Sequence, residues 1–300
     1  MGEFIMEVLV AKTSGFCFGV DRSIKIANEL LNSGRKICTL GKIIHNPLVV
    51  NELSNKGAKI INHPCNLLNN STLVIRSHGV SSEIFDYIKN NNIDYVDATC
   101  PFVKKIHQIV KNHSEKCDIL LAAGDENHPE MIGIRSYFNG KSYVFKNLDE
   151  LKKIIENHPQ IKEKKSLVVS QTTFSVENWE KCVNYIKLCL NSILIFDTIC
   201  KTTVLRQKEA EKLSKKCDLV IVIGGKESSN TKKLYEICSK TTETVLVESK
   251  SDIPEKICNN KKCIGIIAGA STPISLVNEI KKHLEMISNG IYKTYRETNK

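Results

Sequence analysis

An α/β protein of three pseudo-threefold-related modules, each on a mainly parallel sheet, is the fold class this sequence predicts. Three observations predict it. An apolar run, a cysteine and an amphipathic helix follow one another three times, at Cys17, Cys100 and Cys200. A polar turn that opens another helix returns at one identical offset after each of these cysteines, at His45, His128 and Ser228. Each module then closes on an apolar run that ends in a second polar turn. Self-similarity of this kind, with strand and helix patterns alternating, is the signature of repeated βα units around parallel strands.

Taken in order, Val8-Leu9-Val10 leads to Cys17, and Val20, Ile24, Ala27 and Leu31 mark one face of the helix beyond it. Tyr95 to Thr99 leads to Cys100, followed by Val103, Ile106 and Val110. Ile193 to Ile199 leads to Cys200, followed by Val204, Ala210 and Leu213. The spacings of three and four in the first two sets place their residues on one helical face. Second strands follow at Cys38-Thr39-Leu40, Asp118 to Ala122 and Asp218 to Ile223, and third strands at Lys59 to Ile61, Tyr143 to Phe145 and Val245 to Val247. The fourth runs, Leu73 to Ile75, Leu167 to Val169 and Ile264 to Ile267, are apolar throughout, as strands covered on both faces are. Modules are expected at 13–99, 100–199 and 200–288. The segment 6–12 would supply the third with its missing strand, and 289–300 would be a polar tail. Right-handed parallel crossovers put all strand-end turns on one side, where open α/β sheets bind ligands.

The chain of 300 residues is 41% apolar and 25% charged, which excludes disorder for most of it. No run approaches the roughly 18 apolar residues of a membrane span, and no secretory leader is recognisable, so a cytoplasmic protein without membrane partners is expected. Twelve cysteines in a reducing compartment are then metal ligands, reactive thiols or packing residues, not six disulfides. The net charge of +10 is dispersed and aromatics are only 6%, which points away from nucleic acid and towards anionic small molecules. Gly224-Gly225 does not make a dinucleotide site, and neither a P-loop nor G-x-G-x-x-G occurs.

Three cysteines at equivalent strand ends suit a metal centre with one position left open. An iron-sulfur cube on three cysteines leaves one iron free as a Lewis acid, and a zinc on three cysteines and water is the rival. The other nine cysteines read as packing residues. The remaining strand-end residues are polar: His45, His78, His128, Thr172, Ser228, Ser229, Asn230 and Ser271. Singly they are ordinary helix caps. As a ring of matching positions at helix starts they suggest a phosphate or diphosphate pocket, with Glu130 placed to deliver protons.

Gly15-Phe16-Cys17-Phe18-Gly19-Val20, Arg76-Ser77-His78-Gly79-Val80, Asp97-Ala98-Thr99-Cys100-Pro101, His128-Pro129-Glu130, Gln171-Thr172-Thr173, Ser228-Ser229-Asn230-Thr231 and Gly269-Ala270-Ser271-Thr272-Pro273 together resemble the hydroxymethylbutenyl diphosphate reductases, the IspH or LytB family. The resemblance runs from about Met6 to Met286. It implies three lobes around a central cluster, one [4Fe-4S] cofactor on Cys17, Cys100 and Cys200. It also implies the last step of the non-mevalonate (MEP) isoprenoid pathway, in which (E)-4-hydroxy-3-methylbut-2-enyl diphosphate becomes isopentenyl and dimethylallyl diphosphates. In it the open iron would bind the substrate hydroxyl, two electrons would enter through the cluster from a ferredoxin or flavodoxin, and Glu130 would donate the proton. His45, His78, His128, Ser228, Ser229, Asn230 and Ser271 would hold the diphosphate, with Thr172 near the hydroxyl. Asn127, Phe18 and Thr202 stand where the family often has smaller residues. Met1 to Ile5 lie outside the resemblance, which makes Met6 a natural start. A non-enzymatic iron-sulfur sensor of a phosphorylated metabolite is the alternative, since it needs the cysteines and the anion pocket but not Glu130.

Overall fold

The computed structural model describes residues 6–298. The chain opens with β1 (Glu7–Val10) and continues through α1 (Phe18–Asn32), β2 (Lys36–Leu40), α2 (Pro47–Asn55), β3 (Lys59–Ile61), β4 (Ser71–Ile75), α3 (Ser82–Asn90) and β5 (Tyr95–Asp97). The pattern repeats in α4 (Pro101–His113), β6 (Ile119–Ala123), α5 (Pro129–Ser136), β7 (Lys141–Phe145), α6 (Leu148–Asn157), β8 (Ser166–Ser170), α7 (Val176–Cys189) and β9 (Ile193–Ile195). It returns in α8 (Lys201–Lys216), β10 (Leu219–Ile223), α9 (Ser229–Ser239), β11 (Glu243–Val247), β12 (Cys263–Ala268) and α10 (Ile274–Thr298).

These strands make three four-stranded sheets of one design: β3-β2-β4-β5, β7-β6-β8-β9 and β11-β10-β12-β1. Every pairing is parallel. The strand from the N-terminal segment completes the third sheet, with Glu7 to Val10 in register with Cys263 to Ile266. In each sheet the chain moves to one side of its first strand and then returns to the other. That reversal opens a crevice at the carboxyl ends of β2 and β4, of β6 and β8, and of β10 and β12. The inner strands β4, β6, β8, β10 and β12 are buried along their whole length, which is why they read as nearly unbroken apolar runs.

By internal packing the chain forms two units, one from Phe18 to Cys200 and one joining the N-terminal segment through Cys17 to the chain from Lys201 onward. In the first, Leu121, Phe145, Val168, Trp179 and Ile186 centre one core beneath α6 and α7. In the second, Ile221, Ile223, Ile264, Ile266, Val277 and Ile280 pack β10 and β12 against α10. No helix among the described residues is long and apolar enough to cross a membrane.

Two elements depart from the sequence pattern. The inward face of α8 carries Thr203, Arg206, Gln207, Ala210 and Ser214, while Val204 and Leu213 are only half-buried. Hydrophobic periodicity cannot register a polar face that is buried by hydrogen bonding. The backbone of α10 continues through Thr298, into the stretch expected as a tail. Nothing in the sequence there breaks it: no proline follows Pro273, and a glycine such as Gly290 costs a helix only about 1 kcal/mol. Residues 1–5, 299 and 300 lie outside the described residues.

Candidate active site and metal centre

Within the unit from Phe18 to Cys200, the polar turns after β2, β4 and β6 bring three imidazoles together. Ring centroids of His45 and His78 are 4.6 Å apart, and each lies 5.4 Å from His128. Their nitrogens include a set that falls within 4.8 Å of one another, able to hold a metal ion or to surround an anion. His128 caps α5: its Nδ1 accepts from the Glu130 backbone N–H at 3.2 Å. An accepting Nδ1 carries no proton, so the ring is the neutral tautomer whose Nε2–H is a donor. In the first module the cap is Asn46, whose Oδ1 accepts from the Leu48 and Val49 N–H groups. His45 therefore stands one residue before its helix cap, so matching offsets did not make matching roles.

His78 holds its proton well below the ordinary histidine range, chiefly because of burial, and then because His45, His128 and Arg76 repel a further charge. Its Nδ1 is buried without a hydrogen-bond partner among the described residues. Gly79 beside it sits at φ +75, and a Cβ there would come within 2.8 Å of the His107 ring. Glycine is thus required both for the left-handed turn and for the close approach of His107 beneath it.

Glu130, in the first turn of α5, is 2% exposed. Its Oε1 accepts from the Thr172 backbone N–H at 2.6 Å and its Oε2 from the Thr172 hydroxyl at 2.8 Å. Burial pushes this carboxyl up to about 7, while the two bonds from Thr172 pull the other way. Desolvation wins, which leaves an acid that is partly protonated at neutral pH.

The three cysteines of the repeat share one anchor. Cys100 N–H donates to Ser77 O at 2.9 Å, Cys200 N–H to Thr172 O at 3.0 Å, and Cys17 N–H to Ala270 O at 3.0 Å. Ser77, Thr172 and Ala270 each stand two residues beyond β4, β8 and β12. Each cysteine is therefore tied in the same way to the end of its own sheet. None of the three forms a disulfide, and all are partly exposed. A Cβ on Gly19 would lie 2.5 Å from Cys100 Sγ, so the glycine backbone forms one wall against that thiol. Thiolates are the ligands that soft-metal groups take. Of the other nine cysteines seven are buried, and Cys189 packs against a core. Cys65 is exposed in the turn Pro64–Asn66, where packing does not account for it.

In the other unit, Ser228 caps α9 through its hydroxyl, which accepts from the Thr231 N–H at 3.4 Å. Asn230 is 3% exposed, and neither polar atom of its side chain has a hydrogen-bond partner among the described residues. A native structure seldom leaves a buried amide unsatisfied unless a ligand completes it. Ser271 is buried in the turn after β12, Ser229 opens α9, and Cys17 lies in the same unit.

Three matched parallel sheets with cysteine, histidine and carboxylate functions at their carboxyl ends define a three-module α/β enzyme. The chain belongs to the LytB protein family, whose model matches residues 8–285. It is 40% identical over 287 residues to the 4-hydroxy-3-methylbut-2-enyl diphosphate reductase of Caldanaerobacter subterraneus subsp. tengcongensis, covering 94% of this chain and 98% of that protein. The reductase of Clostridioides difficile is 38% identical over 281 residues, covering 93% and 99%. Among solved structures, the E-1-hydroxy-2-methyl-but-2-enyl-4-diphosphate reductase of Plasmodium falciparum superposes with a TM-score of 0.84 at 30% identity, covering 93% of this chain and 87% of that one. A second, an (E)-4-hydroxy-3-methyl-but-2-enyl diphosphate reductase described as the terminal enzyme of the non-mevalonate pathway, gives 0.65 at 34% identity, covering 94% and 100%.

Sequence reasoning assigned no role to Gly19, Arg76, His107 or Arg206. Arg206 is 1% exposed in α8, and its guanidinium donates to Ala268 O at 2.7 Å and Gly15 O at 2.6 Å. The available signal was a charged residue on the face of a helix that the 3.6-residue period turns inward.

Proposed function

We propose that this protein reduces (E)-4-hydroxy-3-methylbut-2-enyl diphosphate to isopentenyl and dimethylallyl diphosphates, the last step of the non-mevalonate isoprenoid pathway. The observation that carries the reading is the buried Glu130, bonded twice by Thr172 and held near neutral pKa, in the same unit as the His45, His78 and His128 cluster. Cys17, Cys100 and Cys200 would hold one [4Fe-4S] cluster, around which the three modules would be arranged. When bound, such a cluster would pass on the two electrons one at a time and supply a Lewis-acidic iron.

The reaction consumes two electrons and two protons: the hydroxyl leaves as water, and carbon gains a hydrogen. Glu130 holds the first proton, and the Thr172 hydroxyl orients the carboxyl that delivers it. Protonation of the leaving oxygen turns hydroxide into water, a far better leaving group. The second proton reaches either end of the allyl fragment, which yields two products. His45, His78 and His128 would surround the diphosphate with ring N–H donors, and the α9 start with Ser228, Ser229 and Asn230, together with Ser271, would add donors. A ferredoxin or flavodoxin is the proposed electron donor, and the reaction would take place in the cytoplasm.

Anaerobic turnover with a reduced dye and the hydroxylated diphosphate tests the proposal, with products identified by chromatography after dephosphorylation. Both C5 products are expected. An iron-loaded protein that binds this diphosphate without converting it would instead be the sensor, and would overturn the enzymatic reading.

A further inference from the structure

We propose that α8 is a clamp that presents Cys17 to the metal group, with Arg206 and Glu209 as its two positioning residues. This rests on the reading of Cys17 as a ligand. Among the three repeated cysteines, Cys17 has the longest lead from its strand. Six residues separate β1 from Cys17, against two between β5 and Cys100 and four between β9 and Cys200. A longer lead has more conformations to exclude, and one backbone hydrogen bond to Ala270 O is a small constraint on it.

Two side chains one turn apart on α8 supply the rest. The Glu209 carboxylate accepts from Lys12 N–H at 3.1 Å, from Thr13 N–H at 2.9 Å and from the Thr13 hydroxyl at 2.5 Å. Arg206 Nη2 donates to Gly15 O at 2.6 Å, two residues before Cys17. Its Nη1 donates to Ala268 O at 2.7 Å, two residues before the Ala270 carbonyl that holds Cys17 N–H. The rigid planar fork of one guanidinium thus joins both sides of the Cys17 anchor, a geometry that lysine's single ammonium cannot copy. Gly15 sits at φ +114, in a region that glycine's own broad backbone preference does not single out, so the clasp defines the path.

Burial at 1% exposure is an expensive place for a cation when an apolar side chain of similar volume would fill the space. At the equivalent position of the second module, on α4, the residue is Ile106, also buried, and the short lead into Cys100 takes longer bonds from Arg22 of α1, to Thr99 O at 3.3 Å and Asp97 O at 3.4 Å. The fold of a module therefore does not itself require a buried cation at this position.

The test uses the full chain as wild type, Arg206→Lys and Glu209→Gln. Metal-free protein is alkylated with N-ethylmaleimide, and the rate at each cysteine is read by peptide mass spectrometry, alongside hydrogen exchange over residues 12–17. Both variants should alkylate Cys17 about tenfold faster, the factor expected for one lost charge-assisted hydrogen bond, with Cys100 and Cys200 within about twofold of wild type. In anaerobically loaded protein, iron should pass to a chelator faster from both variants. An unchanged Cys17 rate, or equal acceleration at all three cysteines with general loss of amide protection, overturns the clamp. If Arg206→Lys does not fold, the half-buried Glu209→Gln decides alone. A wild-type protein that takes up no iron removes the ligand reading, whereas the alkylation pattern still reports on the clamp.

Discussion

Replacing Thr172 by valine keeps the shape of the side chain and deletes the hydroxyl that donates to Glu130 Oε2 at 2.8 Å. The backbone N–H to Oε1 at 2.6 Å stays, because it belongs to the main chain. A hydrogen bond to a charged group contributes about 1.5–3 kcal/mol, and a tenfold change in proton affinity corresponds to about 1.4 kcal/mol, so the loss raises the Glu130 pKa by about 1–2. Starting from about 7, the carboxyl would titrate near about pH 8–9. A proton donor works only while protonated, so the rate falls as pH rises through this pKa, and the variant's alkaline limb moves upwards. The assay is kcat/KM against pH under anaerobic conditions with a reduced dye, since kcat/KM reports ionisations of the free enzyme. Thr172→Ser keeps the hydroxyl and should leave the limb in place. A Thr172→Val limb that coincides with wild type would refute Glu130 as the titrating donor.

Other expectations follow from the same geometry. Glu130→Gln should stop product formation and leave diphosphate binding within about threefold, and it should also change stability with a definite sign. Because the folded pKa is raised from 4.5 to about 7, ionisation makes the wild type less stable as pH rises through that window, by an amount on the order of 3 kcal/mol that persists above it. The glutamine variant, which has no such ionisation, should therefore gain in Tm relative to wild type as pH rises from about 4.5 to about 8, and a constant difference would contradict the buried-acid reading. Gly19→Ala places a Cβ 2.5 Å from Cys100 Sγ, so iron bound per chain should fall, and full iron content would show that the thiol has room to move. Asn230→Ala removes a buried amide that has no partner among the described residues, and KM for the diphosphate should rise about 10–100-fold with kcat nearly unchanged. A KM equal to wild type would take Asn230 out of the pocket.

The three sheets could be read in advance because parallel strands covered on both faces need continuous apolar runs, and β4, β8, β10 and β12 supply them. The three cysteines stood out because equivalent strand ends leave equivalent traces, and each carries the same N–H anchor. What lay beyond the sequence was the outcome of tertiary competition. Residues His45 and Asn46 compete for one helix start, and only the folded turn shows that Asn46 caps it. The proton affinity of Glu130 depends on desolvation against two bonds from a residue 42 positions away. Arg206 lies on a helix whose apolar residues suggested a different buried face, and its acceptors are carbonyls 191 and 62 residues distant. Cys65 was expected in packing because cysteine is commonly buried, yet its turn leaves it exposed.

The central claim is a cluster on three cysteines with one iron left for substrate, and Mössbauer spectroscopy of the anaerobically loaded, iron-57-labelled protein tests it most directly. The account predicts four irons per chain, with one site distinct from the other three that alone changes its signature when the hydroxylated diphosphate is added. Four irons that do not respond to the substrate, or a colourless protein with one zinc per chain, would contradict it.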